Sequence, residues 1–335
     1  MLGFEEEIGK IQAAIADFEL GNTLNIALIA GPLGGKTTLL EEIERKNPGR
    51  VTKLGFPAVV RNKKEISLSP TSRRVVLLDD CHFLYMRKIG GFDAFYGFLD
   101  MISSRERLFI STWNLYSWNY LNEVFGLGKY FPVQVRIPAL TQENLKTLIL
   151  SGYGEGEIHF TEELESEKEP VVYLIKFPLP FALLGKKIDL LLPKINFPYL
   201  EKRFLKKEKE VSAGDRVFEK LYLESKGNPG VALRLWELGA GYPQARPEKI
   251  GGFSFEVELE YEEAFVLSLI LSYQRLTRAE IAEMTGSDGE EKVNEAIFRL
   301  LHQKLIFIDG DAFCRVRPEA LGSVVSYLEK LRLVW

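Results

Sequence analysis

Cysteine, histidine and long apolar runs are all scarce in this chain of 335 residues. Its two cysteines, Cys81 and Cys314, cannot build a disulfide framework. They read as small buried residues of a protein in a reducing, cytoplasmic compartment. The three histidines lie far apart and give no metal-ligand spacing. No run reaches the ~18 apolar residues of a membrane-spanning helix. Met1 leads into an acidic amphipathic stretch, so no secretory leader is expected. No internal repeat and no low-complexity tract is present. The net charge of −4 lacks the basic excess of a nucleic-acid binder, so any such contact must come from a local patch. What is abundant is hydrophobic residues (46%) and mixed charge (27%), enough for sizeable cores in a globular protein. Plentiful Lys and Glu beside little His lean towards a thermophile composition. The length suits two or three domains.

Three blocks follow from the patterning. In residues 1–140, Ile8, Ile11, Ile15 and Phe18 have helical spacing. Apolar runs at 25–30, 51–54, 75–78, 108–111 and 133–137 read as strands, with helical patterns at 37–45 and 92–103 between them. That alternation predicts an α/β fold, a five-stranded parallel sheet with helices on both faces. Residues 141–247 read as a mainly helical lid. Thr141 caps a helix to Leu150, and residues 215–225 and 231–238 are helical around Gly227-Asn228-Pro229. Residues 161–209 have no clear period and hold several prolines, and they read as an insertion. The Gly- and Pro-rich stretch 239–252 is the best linker. Residues 253–335 show helical patterns at 262–273, 277–284 and 290–303. Thr277 and Glu280 form a capping box for the second. Strands at 305–308 and 313–316 flank Asp309-Gly310-Asp311, a hairpin with an Asp-Gly turn. Three helices and a hairpin describe a C-terminal winged helix.

The strongest motif is Ala30-Gly31-Pro32-Leu33-Gly34-Gly35-Lys36-Thr37, placed between a buried strand and a helix. It matches the phosphate-binding P-loop, with Ala in place of the first Gly. Small residues let backbone N–H groups wrap phosphates, and the following helix turns its positive end towards them. Gly31, Pro32, Leu33, Gly34, Gly35, Lys36, Thr37 and Thr38 are therefore the candidate nucleotide-binding residues. Lys36 would neutralise the β- and γ-phosphates, and the Thr37 hydroxyl would ligate Mg²⁺. Asp79 ends an apolar strand where P-loop proteins hold the acidic group next to Mg²⁺. Asp80 stands where a Glu usually polarises the attacking water, and it is shorter by one methylene. The implied cofactors are ATP and Mg²⁺.

Together these residues resemble the additional-strand P-loop class that includes the AAA+ and STAND ATPases. Within it the chain is most similar to archaeal STAND-type ATPases and their origin-recognition relatives. The resemblance covers residues 2–150 and 213–335. Leu2-Gly3-Phe4-Glu5-Glu6-Glu7-Ile8 is similar to the family's opening Gly-Arg-Glu-x-Glu-Leu, which runs under the adenine, with Phe4 replacing the Arg. The resemblance implies a sensor of the γ-phosphate at Thr112 or Asn114. It also implies a Gly-x-Pro element at Gly227-Asn228-Pro229, with Pro229 at the nucleotide and Arg234 as a second sensor. Oligomeric relatives carry an arginine finger before the fifth strand. Between Trp113 and Pro132 the only basic residue is Lys129. Lys129 substitutes, Arg105, Arg107 or Arg136 is used, or no activation in trans occurs. This favours a slow switch acting on a protein partner over a fast ring motor, and self-association stays open.

Two further regions carry alternatives. Residues 256–335 hold 15 Asp and Glu against nine Lys and Arg. Glu290, Glu291 and Glu295 open the presumed recognition helix, a face that repels phosphates. DNA binding of an origin-recognition or mobile-element kind is thus an alternative, but not through this helix. Residues 186–209 hold eight Lys and Arg against three acids, interleaved with Leu190, Leu191, Leu192, Phe197, Tyr199 and Phe204. That mixture suits an acidic membrane surface, single-stranded nucleic acid, a partner protein or an insertion packed on the core. Arg87-Lys88-Ile89-Gly90-Gly91 reads as a helix-start loop or a partner contact. Trp113, Tyr116, Trp118 and Tyr120 read as core or as a binding surface.

Overall fold

The computed structural model describes residues 3–66, 68, 73–161, 172–183, 186–195, 212–251, 255–286 and 290–335. Five parallel strands form its main sheet: β1 (Ile26–Ala30), β2 (Val51–Gly55), β3 (Val75–Asp79), β4 (Leu108–Asn114) and β5 (Val133–Arg136). Their spatial order is β2-β3-β4-β1-β5. The period-2 alternation of a strand sorts their side chains onto two faces. Ile26, Leu28, Val75, Leu77, Leu108 and Ile110 face α1 (Glu5–Glu19) and α2 (Lys36–Lys46). Ala27, Ile29, Val76, Leu78, Phe109 and Trp113 face α3 (Asp93–Ser103) and α4 (Leu115–Phe125). The sheet is an open α/β architecture, five parallel strands with helices on both faces. Ala30, Asp79 and Asn114, the last residues of β1, β3 and β4, come together at one end of it. The carboxyl ends of parallel strands are where such sheets take ligands.

Strand β4 runs three residues further than its apolar pattern predicts. Thr112, Trp113 and Asn114 continue the ladder against Leu28, Ile29 and Ala30. Helix α4 follows at once, capped by the Asn114 side chain, which accepts from the Tyr116 N–H at 3.0 Å.

Beyond the sheet come α5 (Gln142–Leu150) and the short strand β6 (His159–Phe160). A hairpin of β7 (Val172–Leu183) and β8 (Lys186–Ile195) follows. The sequence shows no clear period here. Pro178, Pro180 and Pro193 lack the N–H that a ladder uses, and the register is irregular between Pro178 and Ala182. Of the basic stretch 186–209, residues 196–209 lie outside the described residues, as do Met1 and Leu2. Helices α6 (Ala213–Ser225) and α7 (Pro229–Gly239) are joined by a tight turn, and β9 (Gln244–Ala245) pairs with β6.

The C-terminal elements are α8 (Tyr261–Tyr273), β10 (Leu276–Thr277), α9 (Arg278–Thr285), α10 (Glu290–His302), β11 (Ile306–Ile308), β12 (Phe313–Val316) and α11 (Leu321–Lys330). The strands pair in the order β10-β12-β11. The hairpin loop is longer than an Asp-Gly turn. Asp309 Oδ1 accepts from the N–H groups of Asp311 and Phe313, and the left-handed residue is Ala312, at φ 64°. Helix α8 is buried on nearly every side, with Ala264 and residues 266–273 all inside. One hydrophobic cluster therefore runs unbroken from the second face of the main sheet through α6 and α7 to α8 and α11. Buried hydrogen bonds reinforce it, from Asn114 Nδ2 to the Leu271 carbonyl (2.9 Å) and from Ser117 Oγ to the Ser272 carbonyl (2.7 Å). The loop at 87–91 joins the same contact. Arg87 lies over the Tyr120 and Phe265 rings, and Lys88 and Arg61 both pair with Glu283. Gly91 is needed there, since a Cβ would sit 2.4 Å from the Met86 carbonyl oxygen. Among the described residues no helix is long and apolar enough to cross a membrane.

Candidate functional site

The loop after β1 turns tightly on two left-handed residues, Leu33 (φ 61°) and Gly35 (φ 83°). Gly34 tolerates no side chain without movement, because a Cβ would lie 3.0 Å from that of Ala30 and 3.2 Å from the Gly31 oxygen. Helix α2 begins directly at Lys36, with no side-chain cap and no acidic residue in its first turn. Its leading N–H groups are the orphan donors that anions take. Helix α1 differs, with Glu5, Glu6 and Glu7 in its first turn. The Lys36 side chain is buried, and its Nζ donates to the carbonyls of Gly31 (2.8 Å) and Ala30 (3.2 Å). Burial pulls its pKa down to about 8 against the pull of Asp80 and Asp79. Thr37 and Thr38 follow it, both exposed.

Asp79 is 7% exposed at the end of β3. Its Oδ1 accepts from the Thr112 hydroxyl at 2.6 Å and from the Asp80 N–H at 3.1 Å. Thr112 Oγ1 in turn accepts from the Asp80 N–H at 2.9 Å. The expected sensor Thr112 thus lies fully buried against Asp79, and Asn114 is spent on capping α4 and on Leu271. Asp80 is left-handed (φ 58°), opening the 3₁₀ turn Cys81–Phe83. Burial and the neighbouring Asp79 push its carboxyl up to about 6, although Arg275 and Lys36 pull the other way. Beneath it His82 is wholly buried. Desolvation holds its pKa well below the usual value, and Gln274 Nε2 lies 3.2 Å from its Nε2.

The turn between α6 and α7 sits on the loop. Lys226 and Gly227 are both left-handed, and a Cβ on Gly227 would lie 2.5 Å from the Leu140 carbonyl oxygen. Asn228 caps α7 and sends its Nδ2 to the Pro32 carbonyl at 2.9 Å. The Gly230 N–H donates to Leu33 at 3.2 Å. Pro229 lines a cavity of about 250 Å³ with Gly31, Pro32, Tyr116, Pro138 and Ala139. Arg234 does not line it and pairs with Glu237 at 3.1 Å. Phe4 is buried with its ring against Gly35. Trp113 and Trp118 are fully in the core.

No family model matches the chain, and no curated protein matches it. Solved structures similar to it include RuvB of Thermotoga maritima, described as a Holliday junction branch migration motor. That pair has 14% identity and a TM-score of 0.41, over 97% of this chain and 95% of that one. Cdc6p of Pyrobaculum aerophilum is similar at 14% identity and a TM-score of 0.42, over 99% and 95%. At TM-scores below 0.5 neither likeness adds to what the sheet order establishes.

One residue at the site escaped sequence reasoning. Arg275, between α8 and β10, brings Nη2 to 3.5 Å from Asp80 Oδ2. It is a single arginine after a helix, 195 residues from its partner, and no motif marks it. Arg105 and Arg107 lie at the opposite end of β4 from Asp79, and Lys129 packs over Gly126. Arg136 is the last residue of β5 and is exposed.

Proposed function

We propose that this chain binds Mg·ATP at the loop 30–37 and works as a slow, nucleotide-dependent switch acting on a protein partner. The observation that carries the reading is the convergence of Lys36, Asp79 and Asp80 at the mouth of a helix whose first turn has no cap. Lys36 would meet the β- and γ-phosphates, and the N–H groups of residues 31–37 would wrap them. Thr37 would offer its exposed hydroxyl to Mg²⁺, and Asp79, oriented by Thr112, would stand beside the ion. Among the described residues no group of three or more His, Cys, Asp and Glu could hold a metal alone. Mg²⁺ keeps several waters and takes much of its coordination from phosphates. Magnesium, when bound, neutralises phosphate charge during transfer. Asp80 would orient and accept a proton from water, and Pro229 and Asn228 of the lid would close over the loop.

The lid and the C-terminal elements, read as a winged helix, both hold parts of the site. A change at the phosphates therefore has two routes outward. One runs through Asn228 and Gly230 to the lid, the other through Asp80 and Asn114 to α8. A DNA-reading role for α10 would rest on Lys292 and Arg299 alone among its Lys and Arg. Arg299 is occupied by Glu260, Glu263 and Glu295.

Affinity purification with wild type beside Asp80→Asn tests the switch. The variant should retain ATP and enrich one protein partner. Turnover of the isolated wild type should stay below ~1 s⁻¹, the low end of typical enzymes. Tens of turnovers per second without a partner would remove the slow-switch reading.

A further inference from the structure

We propose that Arg275 is this chain's own γ-phosphate-reading arginine, supplied in cis from the C-terminal elements. The proposal rests on the nucleotide reading above and adds a residue to it. Four observations converge on it. First, Arg275 stands at the carboxyl end of the sheet. Its Nη2 lies 3.5 Å from Asp80 Oδ2, and Asp80 follows the last residue of β3 at the same end of the sheet from which the loop of Lys36 leaves β1.

Second, the guanidinium is already placed. It lies 5.3 Å from the Phe83 ring centroid and 5.6 Å from that of Phe313, held between the turn after β3 and strand β12. Such stacking fixes a fork that would otherwise lose side-chain entropy on binding.

Third, its donors are not used up. The Arg275 Nε is buried with no hydrogen-bond partner among the described residues. The Asp80 contact, at 3.5 Å, is long for a hydrogen bond. A buried unpaired donor is costly and marks a place where a further acceptor is expected.

Fourth, the backbone before it is held in an unusual conformation. Gln274 has φ 64° and ψ −33°, which a non-glycine residue rarely adopts. Its side chain contacts His82, directly below Asp80. This bend ends α8 and delivers Arg275 to the site. The C-terminal sheet also abuts the loop itself, since Leu33, Gln274 and Arg315 line one small cavity. An arginine in cis accounts for the absence of arginine between Trp113 and Pro132.

The test compares Arg275→Ala and Arg275→Lys with wild type by calorimetry, using ADP and a non-hydrolysable ATP analogue with Mg²⁺. Wild type should prefer the triphosphate. Arg275→Ala should lose that preference about tenfold or more while its ADP affinity holds. Arg275→Lys should recover only part of it, because an ammonium lacks the planar fork. Turnover should fall in both. An unchanged ratio of the two affinities in Arg275→Ala, or faster turnover, would overturn the proposal, and faster turnover would make Arg275 a brake. Wild type that binds neither nucleotide would fell the nucleotide reading itself. Binding with an unaltered ratio fells the role of Arg275 alone.

Discussion

The Thr112 hydroxyl donates a hydrogen bond to Asp79 Oδ1 at 2.6 Å. Thr112 Oγ1 in turn accepts from the Asp80 N–H, so one buried threonine fixes both carboxylate residues of the site. Thr112→Val keeps the shape and removes the hydrogen bonds. It should cost about 1–3 kcal/mol of stability, the usual cost of leaving buried polar groups unpaired. It should also raise the Mg²⁺ concentration needed for half-maximal ATP binding. Urea unfolding and a Mg²⁺ titration read the two effects. A variant as stable as wild type with the same Mg²⁺ requirement would show that Thr112 orients nothing.

Asp80 makes stability depend on pH in a definite direction. Burial and the neighbouring Asp79 push its carboxyl up to about 6 in the folded protein, from the ordinary 3.8. The folded state thus binds this proton more tightly than the unfolded chain. The contribution is fully present below about pH 4 and is lost as pH rises through 6. Asp80→Asn should accordingly be more stable than wild type at pH 7, by on the order of 1–3 kcal/mol. The advantage should vanish at pH 4. Turnover of wild type should fall below pH 6, where the carboxylate becomes protonated. Equal stability curves for the two proteins between pH 4 and 7 would contradict this placement of Asp80.

Glu283 ties the C-terminal elements to the main sheet. Hydrogen bonds from Arg61 first and Lys88 second hold its carboxyl down at about 2. A depressed carboxylate stabilises above its unfolded pKa near 4.5 and loses that contribution as pH falls towards 2. All three side chains are partly exposed, so solvent screening limits the pair energies. Glu283→Gln should cost about 1 kcal/mol at pH 7 and nothing near pH 2. Chemical denaturation at the two pH values measures it. A loss that persists at low pH would mean the glutamate acts through packing.

Much of this was legible in the sequence because the signals were local. The five strands and the loop at 30–37 follow from short apolar runs and a fixed motif. So do the capped helices, with Thr277 and Glu280 forming the box as read. What stayed hidden depends on distance. Trp113 and Asn114 extend β4 because β1 lies beside them, not because of an apolar pattern. The β7–β8 hairpin carries prolines and no alternation. Helix α4 begins inside an aromatic run that reads equally as core. Arg275 reaches Asp80 only through tertiary packing. Even the acidic hairpin tip changes meaning, since Asp309 turns inward to Arg315 and the backbone of its own loop.

The acidic C-terminal face predicts how the chain meets DNA. Glu291 and Glu295 are exposed on α10, and Arg299 is committed to three carboxylates. The full chain should not be held on duplex DNA at ~0.15 M salt, where charges are screened beyond about 8 Å. Salt-sensitive retention that Lys292→Glu abolishes would restore a DNA-contacting helix.

On the proposed reading, the buried amine of Lys36 serves a phosphate and not the fold. Burial pulls its pKa down to about 8 from the ordinary 10.5, so its charge costs stability at neutral pH. Titration of ATP with Mg²⁺ into wild type and Lys36→Met, with unfolding measured on the same samples, addresses it directly. ATP affinity should be weaker by ~100-fold or more in the variant, about 2.7 kcal/mol, with stability equal to or above that of wild type at pH 7. Equal ATP affinity in the two proteins would contradict it.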